Sequence, residues 1–465
     1  CQDNESVEQF KRELRYFCNK LPNRTDPLQV FSLPDWETLP YDNFSPHQDI
    51  VSDRLSALYH LPDLQQGILV TSIGSLMHKL PPKKYIRGNS LDLIVGQQLS
   101  IQTMRTQLVD AGYQAVDSVF DHGEFAVRGS ILDIYPMGSR FPYRIDLLDD
   151  EIETLRIFNP ETQRSDQRIE QIRLLPGREY PLDARGITAF RSNFREKFDV
   201  DLRQCPLYQD VSDGISSPGL EYYLALFYEH LDSLFDFLPS NTTCCKIGNL
   251  AGAGQNFWQD IQRRFEDRQI DHYRPILPPT DIFLTIDTVL ADLKQFKQIS
   301  FASGSTAVSL QSLRLPELSS DAKLKTPFAA VEQFIEQNPE QRILFCAESA
   351  GRRETLLEVL KQIKIKPEQF EHLQDFVYST SSCGIIVAPL DQGLWLEDKK
   401  LLLITEAQLF GNRIAQRRRR NKKHSDTDFI VKSLTELSIG DAVVHLDHGV
   451  GRYLGLQTIN TDGQD

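Results

Sequence analysis

The sequence has no apolar run long enough to cross a bilayer. Stretches such as Ile68–Thr71 and Leu401–Ile404 fall far short of the ~20 residues a spanning helix needs. It has no CxxC spacing among its seven cysteines, and the count is odd, so neither a disulfide framework nor a zinc ribbon is indicated. Reduced thiols in a cytoplasm fit best. It has no GxxxxGK(S/T) phosphate loop, no GxSxG and no HExxH, which removes the best-defined nucleotide, esterase and zinc-protease chemistries. It is short of positive charge: 51 Lys and Arg stand against 65 Asp and Glu, a net charge of −14. A chain so acidic repels nucleic-acid backbones as a whole, and any such contact needs a local basic patch.

What is present is enough hydrophobic matter for several cores. At 465 residues, 40% of them hydrophobic and 25% charged, the chain exceeds one domain. It begins with Cys1, not methionine, and is read as a fragment in preference to a mature lipoprotein. Residues 4–20 predict an amphipathic helix, with Val7, Phe10, Leu14 and Phe17 on the apolar face. A strand at Val30–Leu33, a loop rich in proline and aromatics at 33–49, a helix at Ser52–Leu61 and a strand at Gly67–Ser72 follow in the alternation of a parallel α/β sheet. A helix is expected at Ile101–Gly112, then three antiparallel strands at Glu124–Asp133, Tyr143–Asp149 and Ile152–Phe158, with turns supplied by 136–142 and by Asp149-Asp150-Glu151.

Residues 176–300 return to an α/β pattern, with helices expected around 186–198, 219–237 and 255–268. The Ser-rich stretch 303–325 reads as a linker. A three-layer α/β unit follows: a helix capped by Thr326, strands at Ile343–Cys346, Gly384–Pro389 and Lys400–Ile404, and a helix at Ser349–Ile363. Residues 435–460 are β-like, with a tight turn at Asp447–Gly451.

Three features carry candidate chemistry weakly. The strand of KKLLLITEAQ (399–408) ends in Thr405-Glu406, the shape of a metal-binding strand end, but lacks a phosphate loop and reads as a buried strand running into a polar loop. His445, Asp447 and His448 read as a polar hairpin turn before they read as a metal site. The run Arg417, Arg418, Arg419, Arg420, Lys422 and Lys423 is the strongest local positive field, suited to nucleic acid or an acidic partner, or to a solvated linker. It has no interleaved aromatics for base stacking.

The meander says more. Alternation places Arg144, Asp146 and Leu148 on one face of a strand, and Ile152, Thr154, Arg156 and Phe158 on one face of the next, with Arg128 opening the strand before. A sheet face mixing arginine with an exposed apolar residue is either a partner-reading surface or a solvated face of routine charge pairs.

At these residues the chain resembles a known family. FAVRGSILDIYPMGSRFPYRIDLLDDEIETLRIFNPETQRS (125–165) and WETLPYDNFSPHQD (36–49) are similar to the UvrB-like module of bacterial transcription-repair coupling factors. SPGLEYY (217–223) is similar to the Gly-x-Glu-x-Tyr segment of UvrB, and HGVGRYLGL (448–456) resembles the RNA-polymerase-interacting domain shared with the CarD family. The resemblance covers nearly the whole chain. It implies an α/β multidomain fold: a degenerate RecA-like domain (1–89 and 176–302) interrupted by a small α+β UvrA-binding domain (90–175), a linker (303–325), a three-layer α/β domain (326–412), a basic linker (413–434), and the start of an SH3-like polymerase-interacting domain (435–465). Coupling factors displace RNA polymerase stalled at a lesion and recruit UvrA. The implied UvrA contacts fall on Arg128, Arg144 and Leu148, the last a position where relatives can carry an aromatic ring. His448, Arg452 and Tyr453 fall near the contact to the polymerase β subunit.

The resemblance also implies that the chain starts beyond the first strand of its first domain and ends inside the polymerase-interacting one. The motor that uses ATP and Mg on double-stranded DNA would lie downstream. On this reading the chain is a cytoplasmic adaptor with no cofactor, no catalysis and no membrane partner. A UvrB-type helicase would need a Walker lysine and a DNA-clamping hairpin. A CarD-like regulator would leave about 400 residues unexplained.

Overall fold

The computed structural model describes residues 1–18, 28–301, 312–313, 315–319, 328–410, 442–445 and 449–452. The chain divides into two compact units, Cys1–Phe410 and Gly411–Asp465. The result is a mixed α/β, multi-sheet architecture.

The first helix is Asn4–Cys18. Its buried stripe is Val7, Lys11 and Cys18, whereas Phe17 is exposed, contrary to the expected apolar face. Tyr16, one residue earlier, packs instead against the core formed by Leu344, Cys346 and Phe376. Arg12 pairs with Asp391 in the same distant region. The helix thus serves two neighbours, and its periodicity is a compromise between them.

Strand Val30–Leu33 pairs in parallel with Ile68–Thr71, and Thr243–Lys246 pairs in parallel with Lys297–Ser300. The segments before residue 89 and after residue 176 interlock through their backbones. Lys79 donates to the Ile282 carbonyl (2.9 Å), Leu80 to Asp232 (2.7 Å) and Leu284 to Met77 (2.7 Å). One core joins Leu33, Ile73 and Leu80 to Phe237, Ile286 and Val289, and runs on into the meander through Leu132, Ile145 and Leu155.

A second core is built of aromatics: Trp36, Tyr41, Phe190, Phe194, Tyr222, Tyr223 and Phe283. It explains why the helix expected over 219–237 does not form. Residues 220–224 and 226 are all buried, so no polar face exists for a helix to present. The chain instead makes a short 3₁₀ stretch at Leu220–Leu226, entered through Gly219 at φ +76°, and one α turn at Leu234–Phe237. Helices Ala184–Lys197 and Leu250–Arg268 form where periodicity places them.

Residues 328–410 carry a sheet whose centre, Arg342–Ala347, is parallel to both Cys383–Val387 and Leu401–Thr405. Helices Ala329–Gln337 and Ala350–Gln362 accompany it, the second capped by Ser349, which accepts from the Arg352 amide. The expected cap Thr326 lies outside the described residues. The linker reading of 303–325 needs correction where the chain is described. Ser312–Leu313 pairs antiparallel with Leu394–Leu396, and Leu318 is buried in the core, because Leu315 and Leu318 find apolar seats there. In the second unit, Ala442–His445 pairs antiparallel with Gly449–Arg452, so Gly449–Gly451 belongs to a strand and not to the expected turn.

Across the core, Arg54 and Glu179 form an ion pair (Nε–Oε1 2.5 Å) with side chains 0% and 2% exposed. Arg54 also donates to the Pro34 carbonyl (2.8 Å). Removing one partner strands a buried charge, so Arg54→Ala is expected to cost roughly 3–5 kcal/mol in urea unfolding. A loss below 1 kcal/mol would contradict the pair's structural role.

His78 sits edge-on to Trp36 (ring centroids 4.6 Å) and Phe283, with Nε2 3.5 Å from Asp35 Oδ1. Burial pushes it down to about 4, against the opposing pull of Asp35. The unfolded chain takes up this proton near pH 6.5 while the folded chain refuses it. Stability is therefore expected to fall as pH drops from about 6.5 to about 4, and His78→Asn should flatten that part of the profile in urea titrations at stepped pH.

Candidate partner-binding sheet face

The meander is a six-stranded sheet in chain order: Gln114–Ala115, Glu124–Arg128, Ile131–Ile134, Tyr143–Leu148, Glu151–Phe158 and Ser165–Ile169. All neighbours are antiparallel except the first pair. The expected single strand at Glu124–Asp133 is two strands joined by a two-residue turn, with Gly129 at φ +62°. A glycine in the first central position meets the demand of a primed hairpin turn. Arg128 therefore closes its strand instead of opening it. The second turn forms at Asp149 and Asp150, both at positive φ, as the sequence suggested.

One face of the sheet belongs to the core. Phe125, Leu132, Ile134, Ile145, Leu147, Ile152 and Leu155 pack there with Met104 and Leu108 of helix Ile101–Asp110. The opposite face carries the candidate residues. A register shift pairs Asp146 with Thr154 but Leu147 with Ile152, so Glu153 is the extra residue. This bulge corrects the expected grouping of the fifth strand: Ile152 turns into the core, and only Thr154, Arg156 and Phe158 share the outer face.

On that face Arg128 and Arg144 come together around a residue that the sequence reading passed over, while Leu148 stands apart, four residues along its strand from Arg144 and opposite Glu151. Asp133 is 0% exposed and lies directly across from Arg144 in the strand register. Arg144 grips it with two bonds, Nε to Oδ1 at 2.7 Å and Nη2 to Oδ2 at 2.8 Å. Arg128 donates to the same Oδ2 from its own strand. The Asp133 hydrogen bond, then its charge, holds the Arg144 guanidinium above its ordinary range. Arg144 further donates to the Gln163 carbonyl (3.3 Å) and lies over the Phe158 ring (5.2 Å). A neighbouring pair, Arg156 with Asp146, is completed by Thr154 Oγ1 (2.7 Å). The charge in the otherwise apolar ILDI strand was the available signal for Asp133.

The three candidates differ in availability. The Arg144 side chain is 16% exposed, and its fork is spent on Asp133. The Arg128 side chain is 47% exposed and keeps donors free of Asp133, and Leu148 is 60% exposed. Two arginines on one carboxylate leave that trio with one net positive charge. Routine cross-strand pairing and an outward-facing arginine–leucine edge thus coexist.

Of the remaining sequence candidates, His448, Tyr453, Arg417, Arg418, Arg419, Arg420, Lys422 and Lys423 lie outside the described residues. Arg452 ends a strand opposite Ala442, and its side chain is outside the description too. Glu406 accepts from the Glu348 amide (3.0 Å) and pairs with Arg352, which occupies the strand-end carboxylate. Among the described residues no group of His, Cys, Asp and Glu is arranged to hold a metal, and no helix is long and apolar enough to cross a membrane. All seven cysteines are free thiols.

Comparison with known proteins places this face in context. Residues 91–180 match the family model of the UvrB interaction domain, 334–409 that of the MFD D3 domain, and 437–465 that of the CarD-like/TRCF RID domain. The transcription-repair-coupling factor of Haemophilus influenzae is 43% identical over 442 residues, and that of Escherichia coli 41% over 440. The chain is a relative of the transcription-repair-coupling factors. Each of those two alignments covers 93% of this chain, and the chain spans 38% of the length of each of these relatives. The factor of Rickettsia prowazekii is 28% identical over 470 residues, 99% of this chain and 40% of that protein. Arg128, Asp133, Arg144 and Leu148 all fall within the UvrB interaction match.

Asp133→Ala leaves two cations facing a buried void. The substitution is expected to cost roughly 3 kcal/mol by chemical denaturation, with Arg144→Ala next and Arg128→Ala, the more exposed, under 1 kcal/mol. An equal cost for the two arginines would contradict this ranking.

Proposed function

We propose that this chain is the adaptor part of a transcription-repair coupling factor, recruiting UvrA to sites where RNA polymerase has stalled on a lesion. The observation that carries the reading is the outer sheet face within the UvrB interaction match: a free-ended Arg128 and an exposed Leu148, held in register by the buried Asp133–Arg144 clasp. Arginine beside an apolar anchor is a composition enriched at interface hot spots, and the leftover positive charge suits carboxylates on a partner. Arg144 acts by positioning.

On this proposal the segments 1–89 and 176–302 form a degenerate RecA-like scaffold, and the paired strands Ala442–His445 and Gly449–Arg452 begin an SH3-like domain toward the polymerase β subunit, with His448, Arg452 and Tyr453 near that contact. Arg417–Arg420 with Lys422 and Lys423 offers a basic patch to nucleic acid or an acidic partner. The chain itself catalyses nothing. The whole protein displaces polymerase with an ATP- and Mg-dependent motor on double-stranded DNA, in the cytoplasm, where free thiols persist.

The test is calorimetry of the chain with purified UvrA. Arg128→Ala and Leu148→Ala are each expected to weaken binding about tenfold, roughly 1–2 kcal/mol, while melting as the parent does. A well-folded chain that does not bind, or binding that neither substitution disturbs, overturns the proposal.

A further inference from the structure

Away from the sheet face, a cleft of about 350 Å³ opens between three loops and is lined by Ser45, Gln48, Arg178, Glu179, Tyr180 and Glu221, with Phe44, 67% exposed, at its edge. It contains two buried carboxylates in different states. Glu179 is neutralised by Arg54, which meets both of its oxygens (2.5 and 3.3 Å). Glu221 is only 7% exposed, yet among the described residues no cation lies within ion-pair distance of it. Its Oε2 accepts from Ser45 Oγ (2.9 Å), which in turn accepts from the Gly219 amide (3.0 Å). A hydroxyl relay orients the carboxylate without balancing its charge.

The surroundings do not balance it either. The Arg178 stem lies against Gly112, and its charge offsets only a small part of the burial. Tyr180 bonds to Ser216 Oγ (2.8 Å), and both Tyr180 and Tyr222 are pushed upward by burial, so they stay neutral. Arg274 is engaged with the Pro218 carbonyl, and His47 sits beside Asp49 (3.6 Å). An oriented, uncompensated carboxylate facing a cleft is costly unless it is protonated or paired.

We infer that this cleft is a receptor for an alkylguanidinium or alkylammonium group, which enters past Phe44 and pairs with Glu221. Burial pushes Glu221 up to about 7, so the carboxylate lowers its cost by holding a proton. A bound cation takes the place of that proton. Below pH 7 the ligand must displace it, and above pH 7 it need not. Apparent affinity should therefore rise about tenfold between pH 6 and pH 8 and level off beyond. The inference is independent of the UvrA reading, since none of these groups lies on the meander's outer face.

The experiment titrates the whole chain with agmatine and, separately, with acetyl-Gly-Arg-Gly-amide, by calorimetry at pH 6, 7 and 8. Saturable binding with the stated pH rise supports the site. Agmatine alone binding identifies a free small cation as the ligand, and peptide binding identifies a protein side chain. Glu221→Gln keeps the Ser45 bond and should lose at least tenfold in affinity at pH 8, with a flat pH profile. The inference is overturned if neither probe saturates with a cooperatively melting parent chain, or if Glu221→Gln binds like the parent. Should that variant fail to fold, the parent's profile decides: an affinity unchanged from pH 6 to pH 8 overturns it.

Discussion

The Arg54–Glu179 pair is the constraint around which the first 300 residues are arranged. Arg54 comes from helix Gln48–His60, before the meander, and Glu179 from the segment just after it. A third bond reaches the Pro34 carbonyl at the start of the aromatic loop, and the guanidinium lies 5.4 Å from the Trp36 ring. One buried cation thus ties the chain's exit into the inserted sheet to its return, and locks the loop at 33–49 beside them. Desolvating two charges makes such a pair a weak source of net stability. Its value is geometric, since both charges are satisfied only in one register of the segments.

The inserted sheet repeats this logic at smaller scale. Asp133 is a charge placed in an apolar strand, and it is tolerated because arginines from both neighbouring strands reach it. The clasp fixes which face turns outward, and the bulge at Glu153 keeps Ile152 and Leu155 in the core while Thr154 and Arg156 stay outside. Rigidity lies in the centre of the face and availability at its edge, the usual division between a scaffold and a contact.

The cleft at Glu221 shows the same physics left unfinished. Glu179 and Glu221 are close to one another and almost equally buried, but only one has its arginine. The difference arises from loops that meet in space from residues 45, 179 and 221, and the unpaired carboxylate raises its own proton affinity as a consequence.

Much of this was legible in the sequence. Period-two alternation located the strands at Tyr143–Leu148 and Glu151–Phe158, Asp149-Asp150 marked their turn, and helical spacing located Ala184–Lys197 and Ala350–Gln362. These are local signals, set by side-chain direction and backbone preference. The resemblance at 125–165 named the candidate residues. What failed were readings that depend on distant neighbours. Leu220–Leu226 has helical composition but is buried on every side, Phe17 yields its place to Tyr16, and Leu318 leaves a presumed linker for a core. The sequence by itself determined those local elements and set Arg144 and Leu148 on one face of their strand. Only the tertiary structure decided which arginine is spent on Asp133 and which keeps donors to spare, and that Glu221 has no cationic partner among the described residues. Charge pairing acts over a few ångströms in space between residues that can lie more than a hundred apart along the chain.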